Sequence, residues 1–479
     1  MEKLVRKITS MNVDFGKWYT DVVVRAELID YTGVRGCVVL RPYGYAIWEI
    51  IMSFLNHEFR KKNIENVAMP LLIPESLLQK EKNHVKGFAP EVAWVTIGGN
   101  EVLTERLCIR PTSEALFCSH FSKTVKSWRD LPKIYNQWCS VVRWEKSTRP
   151  LLRSVEFQWQ EGHTVHATSQ EAESFAISIL DLYRDFFEHI LCVPVILGRK
   201  TDSEKFAGAD ITYTVECMMK DGKALQAATS HYFGNNFARA FDVKFQNKNN
   251  KSEFVYQTSW GLTTRVIASV IMAHGDDDGL VLPPDIAPIQ IVIVPIMIKN
   301  NAVFEKCNEI FNILNRDFRV KLDVSDQSPG WKFAEYEMKG VPIRLEIGPK
   351  DVDSNSCVII RRDNREKITC GFSNILTEIP VILTKIKCNL YKNAEKFCRD
   401  KIFVVKNLSE FKTVSKQHCF IKTLWCGSDV CEQYIKDNFG FSSRCIPLDE
   451  NQCLFEASDH GCVVCEKKAS SSVYWGEAY

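Results

Sequence analysis

Two short stretches decide the reading of this chain: Val141-Val142-Arg143-Trp144-Glu145 and, ten residues on, Glu156-Phe157-Gln158-Trp159-Gln160-Glu161-Gly162-His163. Both have the β-branched and aromatic content of strands, and together they predict an antiparallel hairpin with a long loop. Side chains alternate faces along a strand, so Arg143 and Glu145 are expected on one face, and Trp159, Glu161 and His163 on one face. A guanidinium, two carboxylates, an imidazole and an indole on one sheet surface do not make a dry core. Two readings follow: a binding surface, or a solvated sheet face with surface ion pairs.

The rest of the chain limits the choice. It has 479 residues, 45% hydrophobic and 25% charged, with 61 basic and 59 acidic side chains and a net charge of +2. That composition is globular, and the length suggests two to four domains. So neutral a chain is no bulk polyanion coat, although a local basic patch remains compatible with it. The longest apolar run, Ile291 to Ile298, is eight residues broken by Pro295. A bilayer span needs about 20, so no transmembrane helix is expected. Met1 to Ser10 lacks an apolar core, so no signal peptide is expected either.

Three regions separate. Residues 1–285 hold most of the tryptophans and polar motifs and end in Gly275-Asp276-Asp277-Asp278-Gly279 followed by Pro283-Pro284, a boundary loop. Residues 286–390 open with an apolar β-branched run, Ile289 to Ile298, of the kind found in buried parallel strands. Helix (Ala302 to Arg316), strand (Arg319 to Val324), helix (Lys332 to Lys339) and strand (Pro342 to Ile347) follow, predicting a small α/β domain. Residues 391–479 are rich in cysteine, holding all seven that crowd into 419–479; the other eleven scatter between Cys37 and Cys398, as reduced buried thiols do. In the tail, Cys426-x₄-Cys431 and Cys462-x₂-Cys465 are two close thiol pairs thirty residues apart, which suits tetrahedral zinc or, alternatively, four metal-free thiols. Cys445 and Cys453 fall outside that pattern.

Three more segments carry polar punctuation. In Arg110-Pro111-Thr112-Ser113-Glu114, Thr112 and Glu114 suit a small amine ligand, or Thr112 or Ser113 caps a helix with Glu114 in its first turn. Gln226-Ala227-Ala228-Thr229-Ser230-His231 is a small-residue strand with Thr229 and His231 on one face; His231 is either a ligand contact or structural. Trp260-Gly261-Leu262-Thr263-Thr264-Arg265 precedes an apolar helix, Val266 to Ala273. Arg265 there suits a phosphate, or is exposed beside a threonine cap.

In this order the motifs resemble those of a class II aminoacyl-tRNA synthetase: Gly44 through Pro70 as motif 1, Arg143-x-Glu145 with its loop and second strand as motif 2, Gly261 to Arg265 as motif 3. Together with Arg110-Pro111-Thr112-Ser113-Glu114, Trp159-Gln160-Glu161-Gly162-His163, Lys205-Phe206-Ala207-Gly208, Ala228-Thr229-Ser230-His231 and Pro329-Gly330-Trp331-Lys332-Phe333, they resemble the prolyl-tRNA synthetases from about Lys17 to Tyr479. The resemblance implies an α+β fold: a class II antiparallel-sheet catalytic core (1–285), an α/β anticodon-binding domain (286–390) and a small C-terminal zinc-binding α/β domain (391–479). Only about 100 residues separate Glu161 from Gly261, which leaves no room for a further domain and points to the shorter archaeal and eukaryotic-type form without an inserted editing domain.

The implied reaction is ligation of L-proline to tRNA(Pro) through prolyl-adenylate. It needs positioning and charge stabilisation rather than a protein nucleophile. By resemblance, Arg143 holds the carboxylate and α-phosphate, and Arg265 the γ-phosphate or leaving pyrophosphate; these are the catalytic pair. Glu145, Arg153, Ser154, Gln226, Thr229 and Thr263 complete the ATP site. Thr112, Glu114, Trp159, Glu161, His163, Phe206 and His231 form the proline pocket with Arg143. Glu337, Arg344 and Lys350 match anticodon-reading positions, with Arg361 and Arg362 as candidates for backbone phosphates.

Mg²⁺ with ATP, a structural Zn²⁺ on Cys426, Cys431, Cys462 and Cys465, a homodimer through motif 1, a cytoplasmic location and a terminal Tyr479 near the site are further expectations. Alanine activation is expected too, since a small apolar pocket discriminates weakly. One departure stands out. The family's Arg-Thr-Arg-Glu-Phe reads Arg153-Ser154-Val155-Glu156-Phe157 here, which loses an arginine and puts the ATP or acceptor-stem contacts in question. A catalytically inactive relative, or a ligase for threonine, serine, glycine or histidine, are the rival readings.

Overall fold

The computed structural model describes residues 8–84, 91–448 and 461–479; the expectations resting on residues 1–7 and on Cys453 lie outside them. Helix and sheet alternate along the chain, and an eleven-stranded sheet dominates. Its central six strands run in spatial order Ile196–Arg199, Ile211–Met218, Ala224–Gly234, Tyr256–Thr263, Glu156–His166 and Lys133–Val142, each antiparallel to its neighbour. This is the α+β architecture expected.

The 20-residue helix Pro42–Lys61 explains itself locally. Proline opens it at a position with no amide to satisfy. Ile47, Trp48, Ile51, Leu55 and Phe59 recur at helical spacing and are wholly buried. Each such side chain stabilises by about 1.5–3 kcal/mol. With the helix Ser169–Asp185 and the motif 3 helix Arg265–His274, it covers one face of the sheet with a single apolar core. The other face is left for polar side chains.

The middle unit has a five-stranded sheet in which Ile291–Pro295 lies between Val320–Leu322 and the central strand Ile343–Ile347 and is parallel to both. The two further strands are antiparallel, so this sheet is mixed. Arg361 and Arg362 depart from expectation. Arg361 is buried between Asp363 and Glu366, at 2.7 and 2.8 Å, and Arg362 grips both oxygens of Asp276 at 2.6 and 2.7 Å. Both guanidiniums hold carboxylates, and Arg362 fastens the middle unit to the N-terminal one, because Asp276 belongs to the boundary loop.

The helix Ile375–Asp400 runs on from the middle unit, crossing residue 390, and the C-terminal strands then join the main sheet. Ser442–Pro447 pairs antiparallel with Ile196–Arg199, making the N-terminal and C-terminal strands one continuous surface. Gly198 allows this: a Cβ there would lie 2.5 Å from the Cβ of Cys445, which packs at the seam. No helix of the described residues is long and apolar enough to cross a membrane.

Candidate active site

Cross-strand partners in an antiparallel sheet share a face. One row reads Gln137, Glu161, Gly261, Thr229; the next reads His163, Ser259, His231, Thr212. The polar residues singled out in separate motifs therefore stand side by side. One cavity on this face is lined by all fifteen of the proline- and ATP-site candidates, from Thr112 to Arg265. Glu161 is 2% exposed and His163 4%, so the reading as a solvated sheet face does not hold.

The cavity has an acidic end. Glu161 accepts from the Ser113 hydroxyl and the Gln137 amide, both at 2.5 Å, from the Ser113 backbone N–H at 3.2 Å, and pairs with His163 Nε2 at 3.2 Å. Burial pushes its carboxyl up, but His163, Ser113 and Gln137 together outweigh that and hold the pKa below the ordinary value. Beside it, the Thr112 hydroxyl donates to Glu114. The helix Glu114–Thr124 does start here, as the alternative reading had it, yet Ser113 at its N-cap makes no side-chain cap. His231 is kept neutral, its pKa lowered to about 3 by burial and by His163, and its Nδ1 lies 3.0 Å from the Thr212 hydroxyl. Phe206 stacks near it, 4.8 Å between ring centroids, and supplies an apolar wall with Trp159.

The other end is cationic. Arg143 donates to the Pro111 carbonyl at 3.0 Å and lies over the Trp159 and Phe157 rings, 5.2 and 5.5 Å from their centroids. The expected strand stops one residue short of it: Lys133–Val142 ends before Arg143, so Arg143 and Glu145 belong to the loop. Arg265, the first residue of its helix, is held by the carbonyls of Leu152 and Gln226, both at 3.1 Å. Thr263 accepts from the Arg265 N–H at 3.0 Å. Burial, aided by Arg143 and Arg153, lowers the Arg265 pKa to about 10, which still leaves it charged at neutral pH. Val155 is buried, and its backbone N–H bonds the Gly36 carbonyl at 2.8 Å. Its side chain packs beside Gly36 and is not among the residues that line the cavity with Arg153 and Ser154.

Gly162 is explained by packing. A Cβ there would sit 2.0 Å from the Trp260 ring on the neighbouring strand. Gln137, Thr212 and Ser259 carry no local signal in the sequence and are defined only by the strand register, while Ser113, expected as a helix cap, serves Glu161 instead. Tyr479 lies beside the site as expected: Arg153 reaches its terminal oxygen at 3.4 Å, and its own hydroxyl reaches Asp221 at 2.5 Å.

Two outlying groups complete the candidates. Arg344 bonds Glu337 at 2.7 Å and Glu346 at 2.9 Å, and lies 4.1 Å from the Phe333 ring centroid. Glu337 and Arg344 line one cavity of the middle unit, while Lys350 is exposed and does not. The sulfurs of Cys426, Cys431, Cys462 and Cys465 lie within 4.8 Å of one another, with Cys426 3.7 Å from both Cys431 and Cys465. Tetrahedral zinc with Zn–S near 2.3 Å needs sulfur spacings of about 3.8 Å, whereas a disulfide needs about 2.05 Å. The four residues therefore fit a metal.

Three family models match: the tRNA synthetase class II core domain (G, H, P, S and T) over residues 97–274, the anticodon binding domain over 290–381, and the C-terminal domain of prolyl-tRNA synthetase over 408–479. Fold and site thus define a class II synthetase core. Among curated relatives, a proline–tRNA ligase of Ruminiclostridium cellulolyticum is 56% identical over 479 residues, covering 100% of this chain and 99% of its own. Proline–tRNA ligase 2 of Bacillus cereus (strain ATCC 14579) is 53% identical over 476 residues, covering 99% of each. A crystal structure of prolyl-tRNA synthetase from Cryptosporidium parvum, complexed with halofuginone and AMPPNP, superposes with a TM-score of 0.94 at 39% identity over 99% of both chains. The chain belongs to the proline–tRNA ligase family.

Proposed function

We propose that this chain activates L-proline with ATP in the charge-divided cavity and transfers it to tRNA(Pro). The observation that carries the reading is one continuous pocket with buried carboxylates at one end and arginines at the other. Proline's secondary ammonium goes to Glu161, Glu114 and Thr112, and its ring to Trp159 and Phe206. Arg143, the arginine that faces the carboxylates Glu114 and Glu161, holds the proline carboxylate against the α-phosphate. Arg265 takes the far phosphates, Glu145 the adenine amino group, and Arg153, Ser154, Gln226, Thr229 and Thr263 the rest of ATP. The attacking carboxylate is already a nucleophile, so alignment and neutralisation of charge on the phosphorus centre are the protein's work. Mg²⁺ bound with ATP supplies further charge neutralisation. Charging of tRNA(Pro) by purified chain with proline, ATP and Mg²⁺ tests this; charging by another amino acid in preference would overturn it.

The same cavity admits alanine, which lacks only part of the ring. Residues 167–255 fold into helices and strands of the catalytic core, which supports the absence of a cis-editing domain. Alanine-dependent pyrophosphate exchange without hydrolysis of Ala-tRNA(Pro) is the expected result; rapid hydrolysis would contradict it.

The cysteine quartet holds a structural Zn²⁺ with no open position, and Glu337, Arg344 and Lys350 read the anticodon. The apolar side chains of Leu71, Leu72, Ile97 and Val102, exposed beyond the helix Pro42–Lys61, support a homodimer on that side. The thiol-rich composition supports a cytoplasmic location. The main-chain oxygen of Tyr479 helps hold Arg153; deleting Tyr479 without change in ATP affinity would count against that role.

A further inference from the structure

Phe206 reaches the cavity from the segment between the strands Ile196–Arg199 and Ile211–Met218. One end of that segment is fastened within the catalytic sheet, where the Phe206 N–H donates to the Thr212 hydroxyl at 2.9 Å, next to His231. The other end is fastened to the C-terminal unit. The buried Thr201 hydroxyl donates to Glu432 Oε1 at 2.8 Å, and the Ser443 hydroxyl donates to the same oxygen. Four residues along the same helix, Asp429–Phe439, Lys436 meets Glu204 at 3.4 Å, and Glu204 itself lines the active cavity. At the root of the segment Lys200 bonds Glu216 and the Arg444 carbonyl, both at 2.8 Å.

We propose that Glu432 is a positioning residue for the amino acid: through Thr201, with Lys436 as a weaker second hold, the C-terminal unit sets the segment that carries Phe206 against the acidic end of the cavity. This rests on the reading of that end as the proline pocket. The magnitudes rank the two contacts. A buried carboxylate receiving two hydroxyls is a strong hold whose loss leaves a buried charge poorly satisfied, whereas an exposed lysine–glutamate pair contributes little. The ATP end is differently built: Gln226, Thr229 and Thr263 stand on central strands and Arg265 on a helix start, none of them on this segment. Loosening the segment lowers the fraction of chains competent for proline and raises its apparent KM by the inverse of that fraction.

The test uses the full chain in pyrophosphate exchange, with Thr201→Val, Glu432→Ala, their double variant, Glu432→Gln, and Phe206→Ala as a marker of the pocket. The expected result is a rise of about tenfold in proline KM for Thr201→Val and for Glu432→Ala, the order of one hydrogen bond to a charged group. ATP KM and kcat stay within about twofold, and the double variant is no worse than the singles, because both remove the same bond. Glu432→Gln, which keeps an acceptor oxygen, restores most of the affinity. Hydrogen exchange of the amides at 201–208 quickens in Thr201→Val. If Glu432→Ala does not fold, Thr201→Val removes the bond from the other side and decides alone. An unchanged proline KM in Thr201→Val, with Phe206→Ala raising it, overturns this proposal and leaves the pocket reading intact. Unchanged proline kinetics in Phe206→Ala as well overturns the pocket reading and the proposal with it. Equal losses for proline and ATP would show that Glu432 is merely structural.

Discussion

The Ser113 hydroxyl lies 2.5 Å from the Glu161 carboxylate, although Ser113 stands at the N-cap of the helix Glu114–Thr124. A serine there ordinarily turns its oxygen to the helix amides, worth about 1 kcal/mol. Here it donates instead to a carboxylate that is almost wholly buried. Helix stability is spent on fixing one acidic group at the amino-acid end of the cavity, which is the behaviour of a binding residue rather than a scaffold residue.

Replacing Glu161→Gln removes the charge while keeping the shape. Proline KM is expected to rise by more than about tenfold, since a charge-assisted bond to the ammonium is lost, with ATP KM little altered. Steady-state pyrophosphate exchange separates the two constants. Equal effects on both substrates would place Glu161 outside the proline site.

Arg265→Lys keeps a charge but not the fork. Its bonds to the Leu152 and Gln226 carbonyls orient the guanidinium, and a lysine cannot make both while facing phosphate. Catalytic efficiency for ATP is expected to fall by about tenfold or more, with equilibrium proline binding unchanged. Calorimetric titration with proline and exchange kinetics with ATP check the two halves.

Much of this site was legible in the sequence because each motif carries its own chemistry: Arg143, Glu161, His163 and Arg265 are residues that a core does not contain without cause. The fold was legible in its parts, from the apolar period of the motif 1 helix to the buried run Ile291–Pro295. The register was not. Gln137 faces Glu161 only because Val142 pairs with Glu156 across a thirteen-residue loop, and no local signal sets that pairing. Thr201 with Glu432, and Arg362 with Asp276, are likewise joined by packing between distant segments. The Asp276 partner of Arg362 lies 86 residues away, beyond the reach of any local signal, whereas Arg361 finds its carboxylates two and five residues on.

Three buried histidines give the stability a pH dependence. Burial lowers His231 to about 3 and His166 and His274 to about 4, against 6.5 for an ordinary histidine. They stay neutral when folded and take up protons when unfolded, so the unfolded state binds more protons below pH 6.5 and stability falls as pH falls. Glu161 and Glu216, whose pKa values are lowered, add to the loss only below about 4.5, and Glu188, raised by burial, opposes it. The melting temperature should fall steadily from pH 6.5 to 4.5, with a shallower slope in His166→Gln. A flat profile across that window would contradict the burial of these groups.

Removing one thiol of the quartet tests the metal site. Cys465→Ser should reduce bound zinc from about one per chain to well below that, by elemental analysis, and lower the melting temperature of the C-terminal unit. Chelation of the unaltered protein should have the same effect. Zinc content unchanged by the substitution would rule out this ligand set.

The central claim is that the acidic end of the cavity takes proline while the arginine end takes ATP. Pyrophosphate exchange with purified chain, ATP, Mg²⁺ and each of the twenty amino acids in turn tests it most directly. The account predicts strongest exchange with proline, weaker exchange with alanine and little with the rest. Exchange strongest with threonine, serine, glycine or histidine, or none with any amino acid from folded protein that binds tRNA, would contradict it.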